Sequence, residues 1–106
     1  MKDFDVLDPM NVSEAVSLLS RHGADAKVLA GGMSLLLLMR QGLVAPSCLI
    51  NIKRIAEIHG VRLSGDGGLS IGALTTHAEV ISSPQVQRGC PVLSEAASLT
   101  GSVHMR

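Results

Sequence analysis

Apolar positions near the start of the chain recur at helical spacing. Val12, Ala15, Val16 and Leu19 follow i, i+3, i+4, i+7 and predict an amphipathic helix with that face turned inward, opened by Asn11 as N-cap and stopped at Gly23. Glu14, three residues past Asn11, stands where its carboxylate accepts from the Asn11 amide in a capping box. The period then shortens. Lys27-Val28-Leu29-Ala30 predicts a short strand, Ser34 to Gln41 a second helix closed by Gly42, and Cys48 to Ile52 a second, buried strand. Val61-Arg62-Leu63 and Leu69-Ser70-Ile71 alternate apolar and polar around SGDGG, the pattern of an antiparallel hairpin with one exposed face. Thr76 and Glu79 predict a capping box heading a helix to about Ile81, ahead of Ser82-Ser83-Pro84. Pro91 opens a last helix, Val92 to Leu99, stopped by Gly101.

Helix, strand, tight turn, helix, strand is the order of a small parallel sheet with crossover helices, and the hairpin belongs to a different layer. The fold class expected is α+β with an α/β start. Residues 1–56 form a small parallel βαβ subdomain, and residues 57–106 begin an antiparallel-sheet subdomain. The chain stops at GSVHMR without a closing strand, so the expectation is the amino-terminal part of something longer.

Composition narrows this picture. At 106 residues, with 46% hydrophobic and 17% charged, the chain has enough apolar material for one core, and with Phe4 its only aromatic that core is aliphatic. Nine basic residues balance nine acidic ones without a Lys/Arg cluster, which removes the electrostatic footprint of a nucleic-acid or anionic-membrane binder. Cys48 and Cys90 lack CxxC spacing and paired histidines, so they read as two buried thiols rather than a zinc site or disulfide. The start, MKDFDVLDP, is acidic where a signal peptide is basic, and the longest apolar run, Leu35 to Met39, does not span a bilayer; the expectation is a cytoplasmic protein. The leucines at 35 to 38 surround their helix, which predicts burial on all sides or a face against a partner subunit.

The junction VLAGGMSLLLLMR carries the candidate chemistry. A strand ending in Gly31-Gly32 and feeding straight into a helix leaves several backbone amides unpaired on one side, a nest for an anion, with the Ser34 hydroxyl as a further donor. A tight turn or a close packing point fits the same spacing, and local pattern leaves both open. A P-loop is excluded because no Lys follows the glycines from 28 to 42, and a dinucleotide fingerprint because GxGxxG is absent.

Four blocks in order, VLAGGMSLLLLMR, CLINIKRIAEIHGV, LSIGALTTHAEV and PVLSEAASLTGS, resemble the flavin-binding subunit of molybdenum hydroxylases, of the carbon monoxide dehydrogenase medium-subunit and xanthine dehydrogenase type, over essentially the whole chain. The resemblance implies an FAD-binding fold of the PCMH type, with FAD between a small α/β subdomain and an antiparallel one. It implies that Ala30, Gly31, Gly32, Met33 and Ser34, flanked by Leu29 and Leu35, wrap the FAD pyrophosphate with backbone amides, and that Thr100 approaches the cofactor ahead of a second glycine-rich loop. That loop, of Thr-Ile-Gly-Gly type, would begin beyond Arg106. Met33 stands where the family often has Gln, and Leu37 where it often has Pro; backbone donors survive both changes.

The same resemblance implies a hetero-oligomer in which a molybdopterin-binding large subunit oxidises the substrate, an iron–sulfur small subunit relays electrons, and flavin passes them to a terminal acceptor. No catalytic acid, base, nucleophile or metal ligand is then expected here. The rival is a truncated, cofactor-free assembly module. His77 reads as a helix-start residue, and His22, His59 and His104 as turn residues. Ser13, Ser34 and Ser94 lack a nucleophile elbow. Arg54 and Glu57 read as a surface ion pair. Gly32→Val is expected to weaken flavin binding more than folding.

Overall fold

The computed structural model describes residues 3–100, which fall in two compact units, Met1–Glu57 and Ile58–Arg106. The first holds a parallel three-stranded sheet ordered β1-β3-β2, from β1 (Asp5–Leu7), β2 (Ala26–Leu29) and β3 (Cys48–Asn51). Helix α1 (Val12–His22) connects β1 to β2, and α2 (Leu35–Arg40) connects β2 to β3. The second holds the antiparallel hairpin of β4 (Val61–Leu63) and β5 (Leu69–Ile71), followed by α3 (His77–Ser82), α4 (Pro84–Gly89) and α5 (Pro91–Ser98). The α+β class and the change from a parallel to an antiparallel sheet agree with the sequence reading.

β3 is central because it is apolar without alternation. Cys48, Leu49 and Ile50 are all buried, as a strand covered on both faces requires, with Asp5 to Leu7 on one side and Ala26 to Leu29 on the other. Burying Leu49 and Ile50 contributes about 1.5–3 kcal/mol each. Edge strand β1 lay hidden in the acidic start, where a three-residue strand offers too little alternation to register.

Local signals account for most helix ends and some corrections. Asn11 is extended at φ −149° and its Oδ1 accepts from the Glu14 amide at 2.8 Å. Glu14 answers one residue further out than expected, accepting from the Met10 amide at 3.2 Å. Of the inward face read for α1, only Ala15 is buried; Val16 is 57% exposed. α2 departs further. Leu37 is 51% exposed and Leu38 37%, while Met39 at 3% is the residue that enters the core, so the leucine block is not buried on all sides. A helix of less than two turns touches its sheet along one line only.

Glu57 does not serve as the partner of Arg54; its carboxylate accepts from the Val12 amide at 2.6 Å and ties the end of the first unit to the start of α1. In the second unit Thr76 and Glu79 form the full capping box, at 3.1 and 3.3 Å. Ser83 then ends α3 and caps α4, whose Val86 amide donates to its hydroxyl at 3.3 Å with Pro84 in the first turn. Val86 is fully buried and joins Val80 and Ala97 in the core of this unit, against Val61, Leu69 and Ile81. Gly101 and His104 lie outside the described residues. Among the described residues no helix is long and apolar enough to cross a membrane.

Candidate functional site

The chain leaves β2 at Leu29, opposite Asn51 of β3, on the carboxyl edge of the parallel strands where ligands of open α/β sheets enter. From Ala30 to Ser34 it turns into α2. The two glycines of the turn differ. Gly32 has φ +81°, so the backbone favours glycine, and a Cβ there would press at 3.0 Å on Leu36 Cδ1 and 3.2 Å on Leu29 Cδ1. Gly31 has an ordinary φ, and a Cβ there would meet nothing within 4 Å. Nothing inside the chain requires it to be glycine, and the turn stays open on that side to whatever approaches from outside.

The amides decide what that opening suits. Among the described residues the N–H groups of Gly31, Gly32, Met33, Ser34 and Leu35 donate to no group of the chain. Their neighbours' carbonyls are used: Gly32 accepts from Leu36 and Ser34 from Leu38, both at 3.0 Å. Five successive donors without an acceptor in the chain make a partially positive stretch of backbone. α2 is six residues long, so the turn amides rather than a helix dipole supply the attraction. Ser34 sits at the N-cap position with helical angles, φ −88° and ψ −44°, and caps nothing; an extended cap is needed to swing Oγ back onto the first-turn amides. Its exposed hydroxyl is a sixth donor.

Beside the turn lies a cavity of about 380 Å³ lined by Gly32, Met33, Leu36, Leu37 and Arg40, with no carboxylate in its wall. The turn thus brings together Leu29, Ala30, Gly31, Gly32, Met33, Ser34 and Leu35. Thr100 belongs to the second unit, at the end of α5, where its hydroxyl donates to the Ala96 carbonyl at 2.9 Å. Arg40 escaped sequence reasoning, although its place four residues after Leu36 and three after Leu37 puts it on the helix face they share.

Other reactive side chains are occupied structurally. Burial, and then the Asp5 carboxylate, push the Cys48 thiol up from its ordinary pKa, which keeps it protonated and inert. Cys90 is only half-buried, a correction to the reading of two buried thiols; both cysteines are free. Ser94 donates to the Ile81 carbonyl at 3.2 Å. His77 heads α3 with its Nδ1 buried and without a hydrogen-bond partner among the described residues. No group of three or more His, Cys, Asp or Glu among those residues is placed to hold a metal.

Known proteins resemble this chain over nearly its whole length. Residues 2–106 match the family described as the FAD binding domain in molybdopterin dehydrogenase. The carbon monoxide dehydrogenase medium chain of Hydrogenophaga pseudoflava is 46% identical over 103 residues, covering 97% of this chain and 36% of that protein. The 6-hydroxypseudooxynicotine dehydrogenase complex subunit alpha of Paenarthrobacter nicotinovorans is 40% identical over 95 residues, 90% of this chain and 32% of that protein. A solved structure of the Hydrogenophaga pseudoflava carbon monoxide dehydrogenase lacking the Mo-pyranopterin moiety of the molybdenum cofactor superposes with a TM-score of 0.93 at 45% identity, over 98% of this chain and 36% of the other. The chain spans about a third of the length of the curated relatives it matches. With nearly every residue inside the family match and the fold reproduced at that identity, the chain belongs to the FAD binding domain family of molybdopterin dehydrogenases.

Proposed function

We propose that the Ala30–Ser34 turn holds the diphosphate of FAD, and that the chain serves as the flavin-carrying part of a molybdenum-containing hydroxylase or dehydrogenase. The observation that carries this reading is the row of five amides, Gly31 to Leu35, with no acceptor in the chain. The residues fit the group. A diphosphate presents oxygens on several sides, Gly31 removes the Cβ that would hold one of them away, and no acid lines the adjoining cavity. Met33 contributes its amide, and its exposed side chain takes no part in holding the turn. Leu29 and Leu35 are half-buried and fix the two ends of the turn, so the donors are in place before a ligand arrives. Thr100 stands as the second-unit contact implied by the family resemblance.

Bound FAD supplies the redox chemistry, accepting electrons and passing them on, while the chain binds and orients it. No side chain of the turn is an acid, base or nucleophile, so the chain's own contribution is electrostatic and positional. The relatives' designations as a medium chain and a complex subunit support a multi-subunit assembly; a molybdopterin-binding large subunit and an iron–sulfur small subunit are the partners the family resemblance implies. The exposed Leu37, Leu38 and Leu43 of the first unit supply apolar surface for such an assembly. A cofactor-free assembly module would use the same leucines. The two readings part on one measurement: the flavin absorption of the protein purified with the products of its neighbouring genes, before and after removal and re-addition of FAD. Stoichiometric flavin supports the proposal; a colourless complex that takes up none leaves only the assembly role.

A further inference from the structure

Arg40 has no place in the turn, yet it lines the same cavity as Gly32 and Met33. Among the described residues its side chain makes no ion pair or hydrogen bond. The other lining residues are a glycine, a methionine and two leucines, so Arg40 is the one charge in the cavity wall and nothing within the described residues neutralises it. The geometry favours a reach back toward the turn. Arg40 lies one helical turn, about 5.4 Å, beyond Leu36, and long helical side chains lean toward the N-terminus of their helix. Arg40, Leu36 and Leu37 line the same cavity as Gly32, whose amide is free. An anion seated on the Gly32 and Met33 amides therefore shares that cavity with the Arg40 cation.

We propose that Arg40 is the cationic half of the diphosphate site, pairing with phosphate oxygens of FAD that the Gly31–Ser34 amides leave open. This rests on the FAD reading above and adds a named side chain to it. Amides contribute partial charges along one surface; the planar guanidinium contributes a full charge and up to two parallel N–H donors, which suit a phosphate bidentately. Its selectivity is for diphosphate over the uncharged part of the cofactor.

The test is FAD and riboflavin titration of the deflavinated protein in its native complex, followed by flavin fluorescence, for the parent, Arg40→Gln, Arg40→Lys and Arg21→Gln. Arg40 is exposed and unpaired, so thermal unfolding of the variants should match the parent. The expected result is an FAD affinity lowered roughly tenfold or more in Arg40→Gln, the scale of a hydrogen bond to a charged group. Riboflavin binding is unchanged, Arg40→Lys is partly restored, Arg21→Gln equals the parent, and salt weakens FAD binding less steeply in Arg40→Gln. Equal FAD affinity in Arg40→Gln and parent overturns the role of Arg40 and leaves the amide site standing. Equal losses in Arg40→Gln and Arg21→Gln overturn it in favour of general charge. A parent that binds FAD no better than riboflavin overturns the diphosphate site itself and Arg40 with it.

Discussion

The chain contains two adjacent glycine pairs in tight turns, Gly31-Gly32 after β2 and Gly67-Gly68 in the β4–β5 hairpin, and their amides go to opposite ends. In the hairpin the amides of both glycines are used internally. Gly67 donates to the Ser64 carbonyl at 3.0 Å, Gly68 to Asp66 Oδ1 at 3.0 Å, and the Ser64 amide closes the turn on the Gly68 carbonyl at 2.8 Å. Asp66 is itself held by the Ser64 hydroxyl at 2.7 Å. In the β2–α2 turn five amides in a row find nothing. Both turns need glycine for a positive φ, at Gly67 (+88°) and Gly32 (+81°), so conformation does not tell them apart. What separates them is acceptors: SGDGG carries a serine and an aspartate that turn inward, whereas AGGMS carries only Ser34, whose hydroxyl bonds to nothing within the described residues. A glycine pair supplied with its own acceptors is closed on itself; one left without them keeps its amides open to an acceptor from outside.

The largest effect that bears on this contrast belongs to Gly32→Val. Sequence reasoning expects it to act on flavin more than on folding, but φ +81° and the leucine contacts near 3 Å make it first a folding variant. A β-branched residue in the left-handed region, with overpacking added, should cost about 3 kcal/mol or more by urea denaturation. Gly31→Val is the cleaner probe. Its backbone is unrestricted and its Cβ side open, so stability should hold within about 0.5 kcal/mol. FAD affinity should meanwhile fall roughly tenfold, about 1.4 kcal/mol, in a flavin titration. A Gly31→Val protein that binds FAD like the parent would show that the opening is not where the phosphates sit.

How much of this was legible depended on the range of the interaction. The capping box at Thr76, the hairpin register and the parallel β2–β3 pairing rest on residues within a few positions of one another or on unbroken apolar runs, and they emerge from the pattern. α4 was missed although Ser83-Pro84 is an N-cap followed by a first-turn proline; the same residues also end α3, and a stop signal hid a start. The exposure of Leu37 and Leu38 was illegible because hydrophobicity does not say how much neighbouring surface a six-residue helix meets. The glycine turn was legible as a position and as a candidate anion nest, but local pattern left a tight turn or packing point open as well. Its meaning lies in the donors left over after Leu36 and Leu38 have bonded, and that account needs coordinates. Arg40 went unnoticed because a single cation at the end of an apolar helix looks like an ordinary solvated charge until the cavity it lines is seen.

Smaller effects test the other side of the comparison. Gly68→Ala would place a methyl 2.9 Å from Ser64 Oγ and 3.2 Å from Asp66 Oδ1, disturbing the two groups that satisfy the hairpin. It should destabilise the second unit by about 1 kcal/mol, one hydrogen bond, and leave FAD affinity unchanged. The gentlest probe is pH. The Ser64 hydroxyl, and then the Gly68 amide, hold the Asp66 carboxyl below its ordinary pKa. A carboxylate lowered in the folded state stabilises fully above its unfolded value, and that contribution is lost as pH falls through the lowered folded value. A carboxyl-detected NMR titration should show Asp66 below the ordinary aspartate range in the parent and shifted up toward it in Ser64→Ala. Loosening of the hairpin on acidification should vanish in Asp66→Asn. Backbone amides do not titrate in that range, so FAD binding by the β2–α2 turn should be indifferent to both substitutions. A flavin affinity that moved with Asp66 would mean the two glycine turns are coupled, and the division between a self-satisfied turn and an open one would fail.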